Sequence, residues 1–166
     1  MSQLTQVADA IKQYPGNEKL TVYTNECSGT INGWPKIPES IDWVSFDLYD
    51  TKNGTNAAEE TIAQLEKYIF PRLSKTQKAI MVPGVMGCNY TQFELDANSA
   101  QIVDDLDTLF SWAKNEPRVA GFNPWHFNNR ATNQAAPPCN MKPGAVMMPD
   151  VVDKLKEIGT WMMNNN

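Results

Sequence analysis

From Ile41 to Asp50 the chain alternates strictly, with Trp43, Ser45, Asp47 and Tyr49 on one side and Val44, Phe46 and Leu48 on the other. The pattern predicts a strand with one apolar face under helices and a second face that turns acidic at its C-terminal end. Three further stretches share part of this grammar: LTVYTNE (20–26), KAIMVPGV (78–85) and VAGFNPWHF (119–127). Between them the period changes to that of helices. Leu4, Val7, Ala8 and Ile11 predict one short helical face, and Ala58, Ile62, Leu65 and Ile69 a second that Pro71 ends. A longer helix, about 93–114, is expected to bury Ile102, Leu106, Leu109 or Phe110, and Ala113. A last helix directs Val151, Leu155, Ile158 and Met162 inward.

Strands alternating with helices predict an α/β fold with a parallel sheet and right-handed crossovers. All four strands carry their polar groups at the C-terminal end, where (βα)-barrel proteins place their sites. The expectation is therefore a single domain over residues 1–166, built as a half or partial TIM barrel. A complete barrel takes about 250 residues. Half of one exposes two sheet edges and half an interior, which self-association or a missing N-terminal half-barrel would cover.

Composition narrows the partners. Hydrophobic residues make up 42% and charged residues 20%, which excludes a disordered chain. The formal net charge is −5 and no Lys/Arg-rich run occurs, so neither a nucleic acid nor an anionic membrane surface is expected. No apolar run reaches the ~18 residues of a membrane span. Cys27, Cys88 and Cys139 form no C-x-x-C pair or Cys/His cluster, so no metal is expected. One disulfide with a free thiol and a fully reduced set both stay open. The sequons at Asn53 and Asn89 tilt localisation toward a secreted protein, although MSQLTQVADA lacks the layout of a secretory signal.

Glu26 and Asp47 end neighbouring predicted strands and are the carboxylates best placed to meet. Glycoside hydrolysis needs such a pair, ~5–5.5 Å apart when one is the nucleophile and ~6.5–9.5 Å when a water fits between. The bland alternative has Glu26 capping a turn and Asp47 bonding loop amides. Tyr49, Trp125 and Trp34 are candidate platforms for a sugar ring, Trp125 foremost because Asn123 shares its face. Trp43, Trp112 and Trp161 read as core or helix packing. His126, the single histidine, is placed to bond a substrate or orient a carboxylate. There is no phosphate-binding glycine loop, and no cofactor is implied.

VYTNE, SIDWVSFDLYD, KAIMVPGVMG and VAGFNPWHF, in that order, resemble the later strands of clan A glycoside hydrolase barrels. The resemblance implies the C-terminal half of a glycosidase-like (βα)₈ barrel, with Asn25-Glu26 as the Asn-Glu pair that carries the acid/base and Trp125 lining the sugar site. Two departures stand out. Two strands separate the Asn-Glu strand from the tryptophan strand, where the clan has three, and strand 78–85 ends in Pro83-Gly84 without a carboxylate. The expectation is an O-glycoside hydrolase with Glu26 and Asp47 catalytic, and Asn25, Tyr49, Asn123, Trp125 and His126 binding a saccharide. Its rival is a catalytically inactive glycan-binding or structural protein on the same scaffold.

Overall fold

A computed structural model describes residues 3–27, 36–47, 57–85, 92–124 and 145–165. The elements run α1 (Gln3–Gln13), β1 (Tyr23–Cys27), β2 (Trp43–Asp47), α2 (Ala57–Gln64), β3 (Lys78–Met81), α3 (Gln92–Ala113), β4 (Val119–Phe122) and α4 (Pro149–Asn165). The strands form one sheet in the order β1-β2-β3-β4, every pair parallel. The architecture is thus α/β with a parallel sheet, as the periodicity predicts. Turns closed on the Tyr14 and Asn17 carbonyls occupy residues 14–20, ahead of β1.

Side chains of alternate parity divide the sheet. Val44, Ala79, Met81 and Val119 pack with Ala8 of α1, Ala58 of α2, and Leu109 and Ala113 of α3 into one buried core. The three helices therefore cover the same face. The expected stripe of α3 is buried in full: Ile102, Leu106, Leu109, Phe110 and Ala113. A second core joins α3 to α4 through Val151 and Ile158, with Trp161 edge-on to Phe110 at 5.5 Å and Phe122 edge-on to it at 6.3 Å. Pro149 opens α4 and Asp150 sits in its first turn, where fixed φ and negative charge suit a helix start.

Pro71 acts one turn early. It has no N–H to continue the ladder, and the last turn of the α2 segment widens to a π-turn over Leu65–Ile69, in which Phe70 N–H donates to the Leu65 carbonyl. A 3₁₀ turn over Phe70–Arg72 follows, and it brings Phe70 to stack on Trp112 at 5.8 Å with Arg118 over its other neighbourhood, 3.9 Å from the ring centre.

Below the strands, Gln77 ties the segment before β2 to the start of β3. It is buried, donates to the carbonyls of Pro38 and Ile41 at 2.7 Å each, and accepts from Ser74 N–H at 2.8 Å. Asp42 does the same for β1, accepting from Val22 N–H at 2.7 Å and pairing with Lys12 of α1 at 2.6 Å.

Two expectations need correction. The α1 face buries Ala8 alone of its described members, since Val7 is 56% and Ile11 37% exposed. No helix lies beyond β1 among the described residues to cover them. Trp43 is not core either: it is 38% exposed, on the sheet face opposite Val44 and beside Tyr23 at 41%.

Candidate functional site

The second face of the sheet is built by ladder register. Tyr23 lies opposite Trp43 and Asn25 opposite Ser45, with Ile80 next to Ser45 and Gly121 next to Ile80. An irregularity in the β3–β4 register sets Ala79 against Val119 and Ile80 against Gly121, so the extra residue, Ala120, restores Gly121 to this face. A Cβ on Gly121 would stand 3.3 Å from Ile80 Cδ1, so the absent side chain lets β3 and β4 fit closely here.

Toward the C-terminal ends the face turns polar. The Tyr23 hydroxyl and Ser45 Oγ are 2.6 Å apart, Ser45 Oγ donates to Asn25 Oδ1 at 2.5 Å, and Asn123 Nδ2 donates to the Tyr23 hydroxyl at 3.4 Å. Ser45 is buried, while Tyr23, Asn25 and Asn123 are exposed. The last bond has a geometric consequence. Tyr23 and Asn123 belong to the two edges of the sheet, three strand spacings or roughly 14 Å apart in a flat sheet whose side chains stand parallel. Their tips meet, so the face is concave. Asn123 also stands four ladder steps above Tyr23, and Ser45 two above it. A row that climbs as it crosses the strands is what tilted strands produce.

The structure brings together Asn25 and Asn123 of the expected site, and adds Tyr23 and Ser45, which sequence reasoning passed over. The available signal was the alternation that sets Tyr23 beside Asn25 and Ser45 beside Asp47. The carboxylate pair is placed differently. The ladder sets Cys27, not Glu26, opposite Asp47, and Glu26 opposite Phe46. The two acidic positions are therefore one step out of phase. Their backbone is described and their carboxyl groups are not. Tyr49, Trp125, His126, Trp34, Cys88, Cys139 and both sequons lie outside the described residues.

Shifted ionisable groups lie elsewhere and have structural causes. Burial pushes the Asp105 carboxyl up, against a bond from the Ala58 N–H at the start of α2. Arg118 bonds Glu116 through two nitrogens, at 2.7 and 2.6 Å, and holds the Glu116 carboxyl below its ordinary value. Lys154, between Asp107 and Glu157, is raised by both, Asp107 foremost. None of these groups faces the concave side's polar row.

Among the described residues no cluster of three or more His, Cys, Asp or Glu side chains stands close enough to hold a metal ion, and no helix is long and apolar enough to cross a membrane. No known protein family, curated protein or solved structure matches the chain.

Proposed function

We propose that the chain is a carbohydrate-active protein on a barrel-derived scaffold, whose primary act is to bind a saccharide at the C-terminal mouth of the sheet. One observation carries this reading: amide and hydroxyl groups of Asn25, Ser45, Tyr23 and Asn123 form a hydrogen-bonded row across a concave parallel sheet. Parallel α/β sheets gather their ligand contacts at that end. Sugar hydroxyls both donate and accept, and amides and hydroxyls that already hold one another lose little freedom on binding. Tyr49 and Trp125 follow the ends of β2 and β4 in sequence and would supply the apolar platform for a ring face.

Titration with cellotetraose, xylotetraose and chitotetraose, followed by calorimetry, tests this. Saturable binding is expected, weakened about 5- to 30-fold by Asn25→Ala or Asn123→Ala, the loss of one or two hydrogen bonds at about 1 kcal/mol each. A parent protein that binds none of them at millimolar concentration sinks the proposal.

Hydrolysis of an O-glycoside is the second reading, favoured because Glu26 and Asp47 end adjacent parallel strands. Under it one carboxyl protonates the leaving oxygen and the other attacks or activates water. Turnover of aryl glycosides that Glu26→Gln and Asp47→Asn each abolish, with folding intact, supports it. Binding without turnover leaves glycan recognition alone.

A further inference from the structure

The polar row at the mouth has a direction, fixed by the number of protons its hydroxyls carry. Ser45 Oγ has one proton and donates it to Asn25 Oδ1 at 2.5 Å. The 2.6 Å bond between Ser45 Oγ and the Tyr23 hydroxyl must then take its proton from Tyr23. With that proton committed, the Tyr23 oxygen is left to accept, and it accepts from Asn123 Nδ2 at 3.4 Å. The chain of bonds therefore runs from Asn123 to Tyr23 to Ser45 to Asn25, every step in the same sense.

The two amides close this chain at opposite ends. Asn25 turns its oxygen inward to Ser45, while Asn123 turns its nitrogen inward to Tyr23 and so holds its oxygen on the outer side of the amide. Flipping one amide alone sets two protons against each other at some step of the row. The sense of the row is therefore a joint property of both ends, transmitted through two hydroxyls. Of the four members, Ser45 is the one a ligand does not reach. It is 1% exposed, whereas Tyr23 is 41% exposed and Asn25 and Asn123 are exposed. As the middle residue of β2 it stands between Asn25 of β1 and Ile80 of β3 in the ladder, and burial keeps water from competing for its two bonds.

We propose that Ser45 is a positioning residue for ligand recognition. It holds Tyr23 and Asn25, and through Tyr23 the amide of Asn123, in one sense, so that the mouth offers the Asn123 carbonyl oxygen to a hydroxyl that donates. This role rests on the saccharide reading and adds to it the side chain that sets the polarity of the site. Two side chains ordered before the ligand arrives are worth roughly tenfold in Kd.

Ser45→Ala deletes one oxygen from a position the ligand does not touch, and two measurements read the result. In ¹H–¹⁵N spectra without ligand, the side-chain amide pairs of both Asn25 and Asn123 should move, because the central link is gone. Tyr23→Phe, which cuts the next link, should move the Asn123 pair more than the Asn25 pair. In calorimetric titration with cellotetraose, xylotetraose and chitotetraose, Ser45→Ala should raise Kd roughly tenfold with the circular dichroism spectrum of the parent retained. Asn123→Asp, which keeps an oxygen to accept from the ligand, should bind more tightly than Asn123→Ala. A parent that binds none of the three sugars sinks the saccharide reading and this role with it. A parent that binds while Ser45→Ala binds as tightly overturns the role alone. So do amide pairs that Ser45→Ala leaves in place, and an Asn123→Asp variant weaker than Asn123→Ala.

Discussion

Gln77→Ala removes a side chain that makes three hydrogen bonds from a buried position. Their fates differ. The Pro38 carbonyl keeps a bond from Ile41 N–H at 3.0 Å, and Ser74 is exposed, so water can replace the amide oxygen on its N–H. The Ile41 carbonyl belongs to a residue with 0% exposure, and Gln77 Nε2 is its described donor. Leaving it bare costs about 1–3 kcal/mol. The vacated volume adds about 1 kcal/mol or more for the methylene groups lost. The expected loss is therefore about 2–4 kcal/mol, a large part of the ~5–15 kcal/mol that holds a domain folded, and a fall in Tm of roughly 5–15 °C. Urea unfolding followed by circular dichroism reads the first and calorimetry the second. Gln77→Leu separates the two causes, because it restores most of the volume and leaves the carbonyl unpaired. It should still lose about 1–3 kcal/mol. A loss below about 0.5 kcal/mol for Gln77→Ala, or a leucine variant as stable as the parent, refutes the claim that this amide staples β2 to β3.

Gly121→Ala should cost about 1–3 kcal/mol, since its Cβ would meet Ile80 at 3.3 Å in a packed layer; chemical denaturation checks it, and an unchanged midpoint contradicts the close fit. Gly16 holds φ at +92°, so Gly16→Ala should lose about 1 kcal/mol in the same assay although nothing lies within 4 Å of the added methyl. Asp105 has a raised pKa in the folded state, so the native chain binds the proton more tightly than the unfolded one. Its share of stability is present below the unfolded carboxylate pKa and lost as pH rises through the raised value. Asp105→Asn should match the parent near pH 3 and exceed it at pH 7, compared by urea midpoints. Glu116 runs the other way: its pKa is lowered, so its pairing with Arg118 stabilises above the ordinary carboxylate range and fades as pH falls through the lowered value. Arg118→Ala should remove that dependence.

Periodicity made the helix-covered side of this fold legible. The spacing of Ile102, Leu106, Leu109, Phe110 and Ala113 contains the buried stripe of α3, because a 3.6-residue period has one way to meet a sheet. The same logic failed for α1. Apolar spacing says that Val7 and Ile11 share a face, and not whether anything lies against it. Alternation sorted Trp43 and Ser45 from Val44 correctly, yet it carries no register. Whether Glu26 meets Asp47 depends on which residue of β1 the ladder sets opposite Asp47, and a one-residue slip exchanges the faces. Gln77 had no periodic signal at all. Its partners lie 36 and 39 residues earlier in the chain, so only the folded backbone brings a lone polar side chain to them.

Under the proposed function, the polar row at the concave mouth is where a ligand meets the protein. Amide chemical-shift mapping during titration with cellotetraose, xylotetraose or chitotetraose reads this residue by residue. The expected result is saturable shifts at Asn25, Ser45 and Asn123, with Ile102, Leu106 and Ile158 on the helix side unmoved. Shifts confined to the helices, or a spectrum that none of the three sugars moves, would contradict it.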